Sequence, residues 1–197
     1  MIAKLTDTAG AEALFAGWEE SLLWSCLQGV MGEIYGDNPE HPASVMAILG
    51  DFCYFAGRPS GELVACKPER YRGQKFIIMV PQNEEWAGLI EQCFGPRAKR
   101  VSRYAIRKEP GIFDEERLGA MVKSLPAGYE LRQIARELYD RCPKLGWCRD
   151  WVAQYESYEQ FCECGLGFVV EKDGEPVSGA SSYSRFRGGI EIEIDTK

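Results

Sequence analysis

Residues 165–196 read GLGFVVEKDGEPVSGASSYSRFRGGIEIEIDT, and two turn signals inside this stretch, KDGE at 172–175 and FRGG at 186–189, divide it into three β-prone runs. Asp-Gly and Gly-Gly pairs tolerate the positive φ that tight hairpin loops need, so the three runs predict an antiparallel meander. The last run alternates with a period of two, placing Ile190, Ile192 and Ile194 on one face and Glu191, Glu193 and Asp195 on the other. On the plainest view of such a strand, the isoleucines point inward and the acids meet water.

Upstream of the meander, FDEERLGAMVKSLPAG has Asp114 as a helix cap, apolar residues at Leu118, Met121, Val122 and Leu125, and a stop at Pro126 and Gly128. YELRQIA at 129–135 predicts a strand, RELYDRCPKLGW and CRDWVAQY short helices, and Ser157 with Gln160 a capping box for YEQFCECG. Trp147 and Trp151 read as core anchors between the short helices.

The first half is organised differently. A single amphipathic helix is predicted over 10–27 from Leu14, Trp18, Leu22 and Leu23. QGVMGEIYGDNP then gives a short strand and a turn, SVMAILGDFCYFAGRP a buried strand or strand pair, and SGELVACKPERY a helix capped by Ser60. KFIIMVP at 75–81 predicts a strand buried on both faces, QNEEWAGLIEQCFG a helix from Asn83 to Gly95, and KRVSRYAIRKEPG another strand over 99–108. Alternating helices and strands give an α/β (α+β layered) fold in two domains, 1–110 and 111–197.

Composition narrows the function classes. The 197 residues carry a formal charge of −7 and 45% hydrophobic residues, and their longest basic run is RAKR at 97–100, which argues against a nucleic-acid surface. No stretch reaches the ~18–20 apolar residues of a membrane span, so the expected location is the cytoplasm. Eight scattered cysteines read as small buried hydrophobes kept reduced. Cys142, Cys148, Cys162 and Cys164 lack the paired spacing of a zinc knuckle, and no metal is expected. His41, between prolines in DNPEHPAS, reads as a loop residue.

Strand, short helices and a three-stranded meander, carried by residues 113–134, 165–184 and 189–196, resemble the opening of the GNAT (N-acetyltransferase) superfamily core. Within it the chain is most similar to the bacterial two-domain GNAT acetyltransferase family related to zwittermicin-resistance acetyltransferases. The first half fits more loosely, as an α/β unit that could itself be a degenerate GNAT-like copy.

The resemblance implies an acetyl-CoA-dependent N-acetyltransferase acting on a small-molecule primary amine, with acetyl-CoA as co-substrate. It implies that the fourth strand, 189–196, pairs its backbone with the pantetheine arm at Ile194, Asp195 and Thr196. A carboxylate at its ordinary pKa is a weak base, which desolvation or a like-charged neighbour strengthens; Glu191 and Glu193 are therefore the candidate bases. Ser182 and Tyr183, within the hydroxyl-rich run that also holds Ser178, Ser181 and Ser184, are the candidate substrate contacts. The resemblance also implies a glycine-rich pyrophosphate loop, R/Q-x-x-G-x-G/A before a helix, and no stretch of residues 1–197 has that spacing. The expectation is a GNAT domain truncated after its fourth strand, inactive or impaired as this chain. The alternative is a GNAT-derived binding or oligomerisation module that dimerises through its C-terminal strand.

Overall fold

The computed structural model describes residues 1–104 and 109–197. They form two compact units, residues 1–99 with 184–191, and residues 100–183 with 192–197. The sequence-based boundary fell at 110, and residues 184–191, placed by sequence in the second domain, group with the first unit.

In the first unit the elements run β1 (Ala3–Lys4), α1 (Ala9–Leu14), α2 (Ser21–Leu27), β2 (Glu33–Gly36), β3 (Ser44–Leu49), β4 (Phe52–Gly57), α3 (Gly61–Ala65), β5 (Ile78–Pro81) and α4 (Glu84–Phe94). The five strands lie in the order β1-β2-β3-β4-β5, antiparallel except for the parallel pair β4 and β5. β3 and β4 read as continuous apolar runs because both have neighbours on each edge and are buried through their middles. Helix α4 starts where Asn83 accepts a hydrogen bond from the Trp86 N–H at 3.1 Å, and stops at Gly95, whose φ is +54°. Its Trp86 is fully buried, packs on Phe55 at 5.2 Å between ring centroids, and donates its indole N–H to the Gly57 carbonyl at 2.9 Å.

Several expectations need correcting here. The helix predicted over 10–27 is two helices, because Gly17 turns the chain at φ +84°. KFIIMVP is an edge strand only four residues long and half-buried, with Phe76 66% exposed, rather than a strand covered on both faces. Across 99–104 there is no strand, and residues 105–108 of that expected element lie outside the described residues.

The remaining elements are α5 (Glu115–Lys123), β6 (Tyr129–Gln133), α6 (Arg136–Leu145), α7 (Tyr158–Cys164), β7 (Gly167–Lys172), β8 (Glu175–Phe186) and β9 (Gly189–Thr196). β6-β7-β8-β9 form a four-stranded sheet in sequence order, with β6, β7 and β8 joined antiparallel. The first hairpin turns at Asp173 and Gly174, with φ of +50° and +81°, as its Asp-Gly pair predicts. Asp114 and Ser157 cap α5 and α7, and the Gln160 side chain reaches back to the Glu156 N–H at 2.7 Å.

Trp151 is fully buried at the centre of the second core, with Trp147 half-buried and edge-on to it at 5.1 Å. Gly179 makes the room: a Cβ there would come within 2.5 Å of the Trp151 ring. The cysteines do not share one environment. Cys26, Cys53, Cys142 and Cys148 are buried as expected, whereas Cys93 and Cys162 are exposed. His41 lies in an exposed loop.

Candidate active site

β9 runs along the edge of its sheet, and its faces are the reverse of the plain expectation. Ile190, Ile192 and Ile194 are 37%, 55% and 66% exposed, while Glu191, Glu193 and Asp195 are half-buried. The alternation was legible, but its polarity was not, because a period of two says which residues share a face and not which face is covered.

Of the half-buried acids, Glu191 is held by its side chain. Ser21, the first residue of α2, donates its hydroxyl to Glu191 Oε2. Ser25, one turn later, donates to the Arg185 carbonyl at 2.6 Å, and the Arg187 N–H donates to Gln28 Oε1 at 2.5 Å. Trp24 packs on Phe186 at 5.2 Å. All of these groups belong to the first unit. Nothing in the sequence of α2 announced this role; the only trace is the polar spacing Ser21, Ser25, Gln28 on an otherwise apolar helix.

Farther along β9, the Ser178 hydroxyl donates to the Asp195 carbonyl at 3.2 Å and shares a hydrogen bond with the Thr196 hydroxyl at 2.8 Å. The Lys197 N–H donates to the Val177 carbonyl at 2.9 Å. These bonds tie the strand's end to β8 and leave its other edge without a neighbouring strand among the described residues. Ile194, Asp195 and Thr196, the expected cofactor positions, lie on this strand.

Ser182 and Tyr183 are placed differently from Glu191. Ser182 is fully buried, accepting from the Leu166 N–H at 2.8 Å and sharing a 2.6 Å hydrogen bond with the Tyr155 hydroxyl. Ser181 donates to the Trp151 carbonyl at 2.6 Å. Tyr183 is 6% exposed. The hydroxyls of Ser181 and Ser182 thus hold β8 to its own core, while that of Ser184 is buried with no hydrogen-bond partner among the described residues.

Burial pushes the Cys142 thiol up to about 12 and raises that of Cys148 as well, so both are protonated at neutral pH and are poor nucleophiles. Among the described residues no group of three or more His, Cys, Asp or Glu side chains is gathered for a metal ion.

The profile of the GNAT acetyltransferase family matches residues 12–197. The chain belongs to the GNAT acetyltransferase family. It is also similar to the crystal structure of a GCN5-related N-acetyltransferase-like protein from Streptococcus suis 89/1591, with 39% identity and a TM-score of 0.85 over 97% of this chain and 76% of that one. No curated protein matches it in sequence. GNAT acetyltransferases take acetyl-CoA as co-substrate, and the mixed α/β architecture of two helix-flanked sheets accords with a GNAT-like fold. No helix among the described residues is long and apolar enough to cross a membrane.

Proposed function

We propose that the protein moves acetyl from acetyl-CoA to the primary amine of a small molecule by direct attack. The amine nitrogen bonds to the thioester carbonyl carbon, the carbon–sulfur bond breaks, coenzyme A leaves as its thiolate, and the amine gives its proton to a carboxylate. Glu191 or Glu193 is that carboxylate. Ile194, Asp195 and Thr196 meet the pantetheine arm along the open edge of β9, with the reaction in the cytoplasm and no metal.

The supporting observation is the half-buried acidic face of β9, on a strand whose outer edge has no neighbouring strand among the described residues, in a chain of this family. A carboxylate held within hydrogen-bond reach of an attacking amine can take up its proton. The acceptor belongs to a class that includes polyamines, amino acids, aminoglycosides and zwittermicin-like antibiotics. Release of coenzyme A thiol from acetyl-CoA across such an amine panel tests the proposal. Thiol release dependent on one amine class supports it, and none above the hydrolysis rate with any amine sinks it.

The exposed isoleucines favour a second reading, a binding module that pairs β9 with a second copy. In antiparallel self-pairing that matches Ile192 with Ile194, Glu191 faces Asp195 and Glu193 faces its own copy. Such a dimer tightens as salt screens the opposed acids. Sedimentation showing a monomer at low and high salt alike removes it.

A further inference from the structure

We propose that Ser21 is a positioning residue for acetyl transfer: its hydroxyl holds Glu191 Oε2 and turns the other carboxylate oxygen toward the amine proton. The inference rests on the reading of Glu191 as the base.

Ser21, Trp24, Ser25 and Gln28 fall at i, i+3, i+4 and i+7, one face of α2, and each touches the hairpin that joins β8 to β9. The polar contacts are of two kinds. Ser25 and Gln28 bond to main-chain atoms of Arg185 and Arg187, so they would hold a hairpin of almost any sequence. Ser21 bonds to a side chain, and its contact exists only because residue 191 carries an acceptor.

Ser21 is 7% exposed, so its hydroxyl has little water to turn to if that acceptor is removed. Among the described residues Glu191 Oε1 accepts no hydrogen bond, whereas Oε2 is held. A carboxylate fixed by one oxygen keeps the other aimed, and the misplacement of a reacting group by ~1 Å can cost ~100-fold in rate. In the proposed step the amine proton passes to Oε1 as the carbon–nitrogen bond forms and the thiolate leaves. Hairpin anchoring alone would make Ser21 matter for stability and not for turnover.

Full-length protein is assayed for thiol release with acetyl-CoA and the amine panel. Ser21→Ala is expected to lower kcat about tenfold with KM changed less than about twofold, Ser21→Thr to recover most of the loss, and Glu191→Gln to remove turnover. Wild-type kcat in Ser21→Ala beside an inactive Glu191→Gln overturns the positioning role and leaves the base in place. Full activity in Glu191→Gln, or no turnover by the wild type, overturns both. A second measurement does not need turnover: with carboxyl-13C glutamate, the Glu191 resonance, identified by its loss in Glu191→Gln, should move in Ser21→Ala and return in Ser21→Thr. A resonance unmoved by Ser21→Ala overturns the contact itself.

Discussion

β4 and β9 hold the same place in two similar successions. Each is the last of three strands that follow one strand and two helices, and each sheet keeps those four strands in chain order. Their surroundings differ. After β4 the chain adds α3, the parallel strand β5 and α4, so β4 is paired on both edges and Cys53, Tyr54, Phe55 and Ala56 are all buried. Among the described residues β9 has one strand neighbour, three exposed isoleucines and a half-buried acidic face. We take the shared succession as support for the proposal that residues 1–110 are a degenerate GNAT-like unit. The contrast shows that chain order does not decide what a strand does. Burial follows from what packs against a strand, and in β4 that cover comes from β3, β5 and the helices around them.

The contrast can be broken most forcefully at its buried end. Phe55→Ala opens a cavity against Trp86 and is expected to lower unfolding free energy by about 3–5 kcal/mol in urea denaturation followed by tryptophan fluorescence. Ile194→Ala, at 66% exposure, should stay within about 0.5 kcal/mol. Equal losses at the two positions would mean that β9 is covered in solution.

Next in size is Gly179→Val. Its branched side chain meets the Trp151 ring where a Cβ alone would already lie at 2.5 Å, and overpacking should cost about 1–3 kcal/mol, seen as a lowered Tm.

A smaller effect, in the first unit, depends on pH. Burial pushes the Glu33 carboxyl up, but hydrogen bonds from Lys4 at 2.7 Å and Tyr35 at 2.8 Å, with the Arg70 charge, outweigh it and hold the carboxyl below its ordinary value of 4.5. A depressed folded-state value means that the unfolded chain takes up the proton first. Glu33 therefore contributes stability above about pH 4.5 that is lost as pH falls through the folded value. Urea midpoints measured from pH 7 to pH 3 should fall less steeply in Glu33→Gln; an unchanged slope would remove Glu33 from the acid response.

The smallest effect is on the open strand. Ile192→Lys should leave stability within about 0.5 kcal/mol and abolish any salt-promoted dimer seen by sedimentation.

Much of the architecture was legible because local chemistry wrote it. Asn83, Asp114 and Ser157 cap the helices they were expected to cap, and Asp173-Gly174 forms its turn. The errors arose where tertiary context competes with pattern. KFIIMVP is apolar enough to be central, yet only its last four residues pair, at a sheet edge. The helix expected from Leu118, Met121 and Val122 forms as α5, and what its spacing did not tell is that α5 buries none of its residues. Of the site, the residue types on β9 could be read and Ser21 could not, since it lies 170 positions from the glutamate it holds.

What the sequence determined by itself is most of the succession of strands and helices, the two-residue alternation of 189–196 and a likeness to the family to which the chain belongs. The succession and the alternation are written in neighbours a few positions apart, through φ preferences, capping side chains and hydrophobic period. Only the tertiary structure decided which face of β9 is covered, that the hydroxyls of Ser181 and Ser182 serve the core, and that a helix near the beginning of the chain grips Glu191. Burial and long-range hydrogen bonds are set by what packs against a residue, and a period-two pattern reads the same with either face turned inward.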